Sequence, residues 1–280
     1  MALSSAQVKG RIKNIAKTND TDARILMRIY MMERFLERVA NSSYAEDFVI
    51  KGGILVTAMV GVSMRSTMDI DTSIRNCNLL ENDIEKMVKE ICDVNLDDNV
   101  TFTVKEVSRI MDDMEYPGIR LAIDVKLEEM ITPIKIDFST GDIITPGAIE
   151  YDYHLLLEER SIKLWAYNLE TVLAEKLQTV LSRGILNTRM RDFYDIYTLM
   201  LCYEDNIDGE VFKQAFQATC NKRKSMNLAE KGLEIIKTVS DDDNMINLWK
   251  GYQKKYSYAS EISYESVIKS IERLFALVYA

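Results

Sequence analysis

Histidine, proline and glycine are scarce in this chain of 280 residues, which has one His, 3 Pro and 11 Gly. A single histidine excludes chemistry that needs a His–His pair. His154 sits in the strand-like run from Tyr151 to Leu157 and suits a structural role. The four cysteines, Cys77, Cys92, Cys202 and Cys220, show no paired metal spacing and read as reduced thiols of a cytosolic protein. No apolar run is long enough to span a bilayer, so no membrane association is expected. Residues Met1 to Lys17 are polar and basic without an apolar centre, which does not fit a secretory signal. Positive charge is also short: 35 Lys and Arg against 44 Asp and Glu leave a net charge of −9. Broad, non-specific nucleic-acid binding depends on phosphate neutralisation and is not expected, although a local basic groove is still allowed.

What is present is enough hydrophobic material for a packed core. The 47% hydrophobic content supports one large domain or two small ones, and the low Gly and Pro counts lean helical. Apolar residues at Ile25, Ile29, Met32, Leu36 and Val39 predict a helix over 23–39, with Asp20 or Thr21 as its cap. Then the texture changes. Phe48-Val49-Ile50 reads as a buried strand running into Lys51-Gly52-Gly53. A short helix over 54–60, a loop over 61–67, a strand over 68–74 and a helix over 80–92 follow. Further strands are expected over 100–107, 119–128, 134–138, 153–157 and 161–165. From Leu169 the pattern is helical: 169–182, 190–201, 210–218, 228–238, 245–252 and 264–278. The switch falls near Tyr167 and divides the chain into an α/β domain over 1–166 and a helical domain over 167–280.

The first candidate for chemistry is Asp69-Ile70-Asp71. Residues two apart in a strand share a face, so Met68 and Ile70 are expected to face the core and the two aspartates to face away together. Paired carboxylates repel unless a proton or cation lies between them, and oxygen ligands suit Mg²⁺ or Mn²⁺. By itself such a pair is more often a solvated strand face. The context adds weight: Gly52 and Gly53 stand between a strand and a helix, where backbone amides and the helix N-terminus favour a phosphate. Arg65-Ser66 lies in the loop before the acidic strand. A third carboxylate is expected from a neighbouring strand. Asp137 fits, because Ile134, Ile136 and Phe138 alternate with it; Asp124 is a rival.

The helical half offers a second group. Lys176 lies three after Leu173 and four before Val180, on an apolar stripe where an ammonium must snorkel or meet an anion. A triphosphate would serve. In Arg189-Met190-Arg191-Asp192-Phe193-Tyr194-Asp195 the two aspartates are helical neighbours, and Arg191 can pair with Asp195. Alone, that segment is an ordinary helix start with an acid in its first turn.

Taken together, Lys51-Gly52-Gly53, Arg65-Ser66-x-x-Asp69-Ile70-Asp71, Ala174-Glu175-Lys176-Leu177 and Arg191-Asp192-x-x-Asp195-Ile196-Tyr197 resemble, in order, the motifs of AbiEii/AbiGii-type toxins. These are the toxin halves of type IV abortive-infection and toxin–antitoxin systems, with MenT-type toxins as relatives. The resemblance spans residues 48–199. It implies an α+β fold with a polymerase β-like nucleotidyltransferase core, a mixed sheet and flanking helices, followed by an all-helical domain. Carried over by position, Gly52 and Gly53 match the glycine motif, Asp69 and Asp71 the metal-binding aspartates, Lys176 the third motif, and Asp192 with Asp195 the last. One departure stands out: the wider superfamily has Gly-Ser after the first strand. A hydroxyl contact to phosphate is therefore missing here or comes from Ser66 or Thr57.

The resemblance implies nucleotide transfer from an NTP, with Mg²⁺ or Mn²⁺ on Asp69 and Asp71; Asp137, chosen by strand alternation, would complete the metal site or act as the base that deprotonates the attacking hydroxyl. Gly52, Gly53, Arg65, Ser66 and Asp195 would bind the nucleotide, and Lys176 and Asp192 would join the catalytic aspartates. It implies tRNA, with a protein hydroxyl as the alternative, as acceptor, growth arrest or phage defence as outcome, and a cognate antitoxin encoded next door. Arg183, Arg189, Arg191 and Lys222-Arg223-Lys224 offer local positive charge for a nucleic acid. Kinase-like phosphoryl transfer, nucleotide binding without turnover, and modification of an aminoglycoside are the rival expectations.

Overall fold

The computed structural model describes residues 3–75, 80–110 and 118–279; Cys77 lies outside them. The chain divides into two compact units, Met1–Asp142 with Ile149–Ala166, and Ile143–Ala148 with Tyr167–Ala280.

In the first unit the order is α1 (Ser5–Thr18), α2 (Ala23–Ala40), β1 (Phe48–Lys51), α3 (Gly52–Val60), β2 (Ile70–Ile74), α4 (Glu81–Cys92), β3 (Val100–Ile110), β4 (Gly118–Leu127), β5 (Met130–Thr140), β6 (Ile149–His154) and β7 (Ser161–Ala166). Helix α1 has no counterpart in the sequence reading. It buries only Val8 and Ile12, too few to give a strong periodic signal, and is started by a capping box between Ser4 and Gln7. Helix α2 is capped by Asp22, which accepts from the Arg24 amide, and not by Asp20 or Thr21; Asp20 takes a left-handed φ of 47°.

The seven strands form one mixed sheet in the order β3-β4-β5-β2-β1-β7-β6. β5 runs parallel to β2, β2 antiparallel to β1, and β1 parallel to β7. Phe35 of α2 packs against Phe48 of β1 and Phe102 of β3 with ring centroids 6.0 and 6.1 Å apart, and Phe48 meets Phe138 of β5 at 5.9 Å. This aromatic chain fixes one sheet face as the core face. On β4 the buried residues alternate as Ile119, Leu121, Ile123 and Val125, and on β5 as Ile134, Ile136 and Phe138. Arg120, Asp124, Lys135, Asp137 and Ser139 therefore share the opposite face.

From Ile29 to Val39 helix α2 is buried throughout, charged residues included. Arg34 contacts Glu37 and Glu158 at 3.0 Å each, and Arg160 contacts Glu37 at 2.6 Å and Glu158 at 2.7 Å. The four close a ring that ties α2 to the turn between β6 and β7. Beside it, both carboxyl oxygens of Glu33 accept the Leu156 amide at 3.0 and 3.1 Å.

Two expectations about strands are corrected. β2 begins at Ile70, because residues 68 and 69 form a bend; Met68 is exposed rather than in the core. The strand expected over 153–157 lies earlier, over Ile149–His154, and residues 155–157 lead into the turn. His154 is an exposed strand residue whose Nδ1 meets Ser161 Oγ at 2.8 Å.

The second unit is helical: α5 (Leu169–Arg183), α6 (Met190–Tyr203), α7 (Gly209–Lys222), α8 (Asn227–Asp241), α9 (Asp243–Lys255) and α10 (Tyr264–Ala276). Helix α5 is its centre. Its polar positions Thr171 and Gln178 are buried as well as its apolar ones. Thr171 Oγ1 accepts the Thr145 amide, and Gln178 joins Ser225 and Arg223. Among the described residues no helix is long and apolar enough to cross a membrane.

Candidate active site

The acidic site is built where β1 ends. Ile50 is buried in the sheet, and the chain must turn at once into α3. Gly52 makes that turn with φ +57°, a left-handed conformation costly for residues with a Cβ. A Cβ there would stand 2.3 Å from Asp71 Oδ2. Glycine is required twice over, by the backbone angle and by the closeness of the acid. The next amide, Gly53 N, donates to Asp71 Oδ2 at 3.1 Å. The glycine turn thus holds an aspartate in this structure, through the same backbone donor that sequence reasoning offers to a phosphate.

Sheet register supplies the remaining charges. Lys51 of β1 pairs with Asp71 of β2, Asp71 pairs with Asp137 of β5, and Asp137 pairs with Arg120 of β4. One row across four strands therefore reads Lys51, Asp71, Asp137, Arg120. Its two acids are central and its two bases flank them. Lys51 Nζ turns to Ser139 Oγ at 2.7 Å and Asp142 Oδ2 at 2.5 Å. Arg120 grips Asp137 through two bonds, Nε to Oδ1 at 2.7 Å and Nη2 to Oδ2 at 2.6 Å. The rival third carboxylate, Asp124, falls opposite Pro133 and approaches Lys105 at 3.8 Å. The register, set by β5 lying beside β2, brings Asp137 and not Asp124 next to Asp71.

Asp69 precedes β2 on the bend and is half-buried. Burial pushes its carboxyl above the usual range, and the nearby charges of Asp137 and Asp71 push it further; Arg120 and Lys135 oppose them. The three acids thus repel one another in a partly dehydrated setting, where a cation is favoured. Hard carboxylate oxygens fit Mg²⁺ or Mn²⁺. Among the described residues no group of three His, Cys, Asp or Glu is arranged to hold a metal ion. Asp137 gives both oxygens to Arg120, so Asp69 and Asp71 are the pair left to a cation.

Arg65 and Ser66 lie deeper than a ligand contact suggests. Arg65 is 1% exposed, and Ser66 is also buried. Arg65 Nη1 donates to the Ser66 carbonyl at 2.6 Å. A Cβ on Gly53 would meet Thr67 Oγ1 at 2.6 Å and Arg65 Nη1 at 3.0 Å, so the guanidinium lies directly under the glycine turn. Arg65 supports the turn from inside the protein. Thr57, the other hydroxyl considered, is buried in α3. No motif rule singled out Arg120; its signal was only alternation, two residues before the small Ala122 on the polar face of β4.

In the helical unit Lys176, Asp192 and Asp195 meet. Lys176 Nζ lies 2.6 Å from Asp195 Oδ2 and 3.3 Å from Asp192 Oδ1, and Arg189 Nε lies 2.9 Å from Asp192 Oδ2. All three residues of the Lys–Asp–Asp group are buried, Asp195 completely. The anion that an ammonium on an apolar stripe requires is therefore a pair of aspartates one helix away. Arg191 does not pair with Asp195; its Nη2 donates to Tyr256 Oη at 3.2 Å. Within the basic run, Arg223 is engaged by Gln178 and Glu175 at 2.6 and 3.2 Å.

Comparison with known proteins gives the family and the fold. The family model for the nucleotidyl transferase AbiEii toxin of type IV toxin–antitoxin systems matches residues 34–275. Among solved structures, JHP933 from Helicobacter pylori aligns with TM-score 0.52 at 12% identity, covering 92% of this chain and 91% of that one. A candidate nucleotidyltransferase from H. pylori aligns with TM-score 0.53 at 13% identity, covering 92% and 94%. At such identities the likeness is one of fold. No curated protein matches the sequence.

Proposed function

The chain belongs to the AbiEii family of nucleotidyl transferase toxins, and from that premise we propose that it moves a nucleotidyl group from an NTP to a tRNA hydroxyl. The observation that carries this reading is the pairing of Asp71 with Asp137 in register, beside a glycine turn bonded to Asp71. In the reaction an acceptor oxygen bonds to the α-phosphorus, the bond to the bridging oxygen breaks, and pyrophosphate leaves. Asp69 and Asp71, joined by Asp137, would hold Mg²⁺ or Mn²⁺, which when bound neutralises charge on the phosphates.

The chain's own groups do the rest. Gly52 allows α3 to begin hard against Asp71, so that the helix N-terminus and the acids face one region. Arg65 and Thr67 keep that turn in place from below. A carboxylate of the row accepts the proton that the acceptor hydroxyl loses, a role for which Asp137 stands beside Asp71. In the helical unit Asp192 and Asp195 hold the Lys176 ammonium in position. The toxin would arrest growth by altering tRNA until an antitoxin encoded beside it relieves the effect.

The test combines purified protein, Mg²⁺, total tRNA and each α-labelled NTP, with Asp71→Ala in parallel. Label in tRNA from the parent and none from the variant is expected. Label that reaches acceptor only from the γ-position would replace the reading with phosphoryl transfer. Nucleotide-induced thermal shifts without any labelled acceptor would replace it with binding alone.

A further inference from the structure

We propose that Arg120 stands in for the divalent cation at Asp137 and competes with it, so that a loaded site requires the guanidinium to let go. This rests on the reading above that the acidic row binds such a cation. Arg120 and Asp137 are direct cross-strand partners, and the guanidinium fork takes both carboxylate oxygens, at 2.7 and 2.6 Å. A bidentate guanidinium takes the inner lone pair of each oxygen, so an ion cannot chelate Asp137 while the fork is in place and is left with the outer lone pairs alone. On its other side Asp137 neighbours Asp71. Of the two bases that flank the row, Arg120 is bonded to one of its acids, while Lys51 bonds Asp142 and Ser139.

The two partners differ in freedom. The Arg120 side chain is 37% exposed and that of Asp137 is 17%. The long arginine stem can swing into water, whereas the short aspartate is fixed to a strand paired on both sides. Release is thus a movement of the arginine. The exchange replaces a single positive charge with a double one beside the acids. It also protects the empty site, because three mutually repelling carboxylates would otherwise lie together without a counterion.

The experiment is Mn²⁺ binding without nucleotide, read by water-proton relaxation, for the parent, Arg120→Gln, Asp137→Asn and the double variant. Arg120→Gln is expected to tighten Mn²⁺ by about ten- to a hundredfold, the scale of a lost charge-assisted pair. In the Asp137→Asn background the same change is expected to have little effect. Parent-like or weaker binding by Arg120→Gln overturns the inference. Equal tightening in both backgrounds also overturns it, since the effect would then be general charge removal. Binding by neither the parent nor Arg120→Gln would sink the metal reading itself and this inference with it.

Discussion

Asp71 Oδ2 accepts the Gly53 amide proton at 3.1 Å, which joins the glycine turn after β1 to the acid on β2. The turn and the acid are therefore one device. Gly52→Ala would place a Cβ 2.3 Å from that oxygen at a φ of +57°. The left-handed angle alone costs about 1–2 kcal/mol, and the contact displaces Asp71. We expect a loss of transfer of about a hundredfold or more, the scale seen when a charge-stabilising group is misplaced. A steady-state tRNA labelling assay, alongside a urea melt that confirms folding, checks it. Full activity would show that the turn does not position Asp71.

Asp137 and Asp124 occupy the same face on neighbouring strands, but only Asp137 lies opposite Asp71. Asp137→Asn should lower transfer by about a hundredfold, and Asp124→Asn should stay within about twofold. Reversed results would mean that the row is not the reacting site.

Glu33 provides a pH test of stability. Burial, above all, raises its carboxyl to about 8, whereas an unfolded glutamate titrates at about 4.3. Between those values the folded protein keeps a proton that the unfolded chain has lost. A carboxyl with a raised folded pKa is stabilising below the unfolded value, and that stability is lost as pH rises toward 8, at up to about 1.4 kcal/mol per unit. Glu33→Gln retains an acceptor for the Leu156 amide without the titration. Urea melts from pH 5 to 8 should therefore show a shallower decline for the variant. Equal slopes would place the effect elsewhere.

Lys176 lies between two buried aspartates, closest to Asp195. Lys176→Met removes the ammonium 2.6 Å from Asp195 Oδ2, and a broken buried pair costs about 3–5 kcal/mol. The double change Lys176→Met with Asp195→Leu should recover part of that loss. Chemical denaturation of the three variants reads it directly; a loss below about 1 kcal/mol for the single variant would show that the aspartates are satisfied without the ammonium.

Much of this protein was fixed locally. The alternation of Ile134, Ile136 and Phe138 around Asp137, and the spacing of Leu173, Leu177 and Val180 around Lys176, follow from side-chain periods of two and 3.6, which need no knowledge of distant chain. The four motifs placed the chain in its family before any coordinates. The tertiary structure decided what those periods cannot. Alternation puts Asp124 and Asp137 on equivalent faces, and only the insertion of β2 beside β5 chooses between them. Arg120, forty-nine residues after Asp71 in sequence, enters the acidic row through the same register. Arg65 looks like a ligand in a loop, yet packing places it under Gly53. Lys176 needed an anion, and the crossing of α5 with α6 supplied Asp195. Each of these depends on non-local pairing, where the free energy of burying a whole face, rather than any local preference, selects which residues meet.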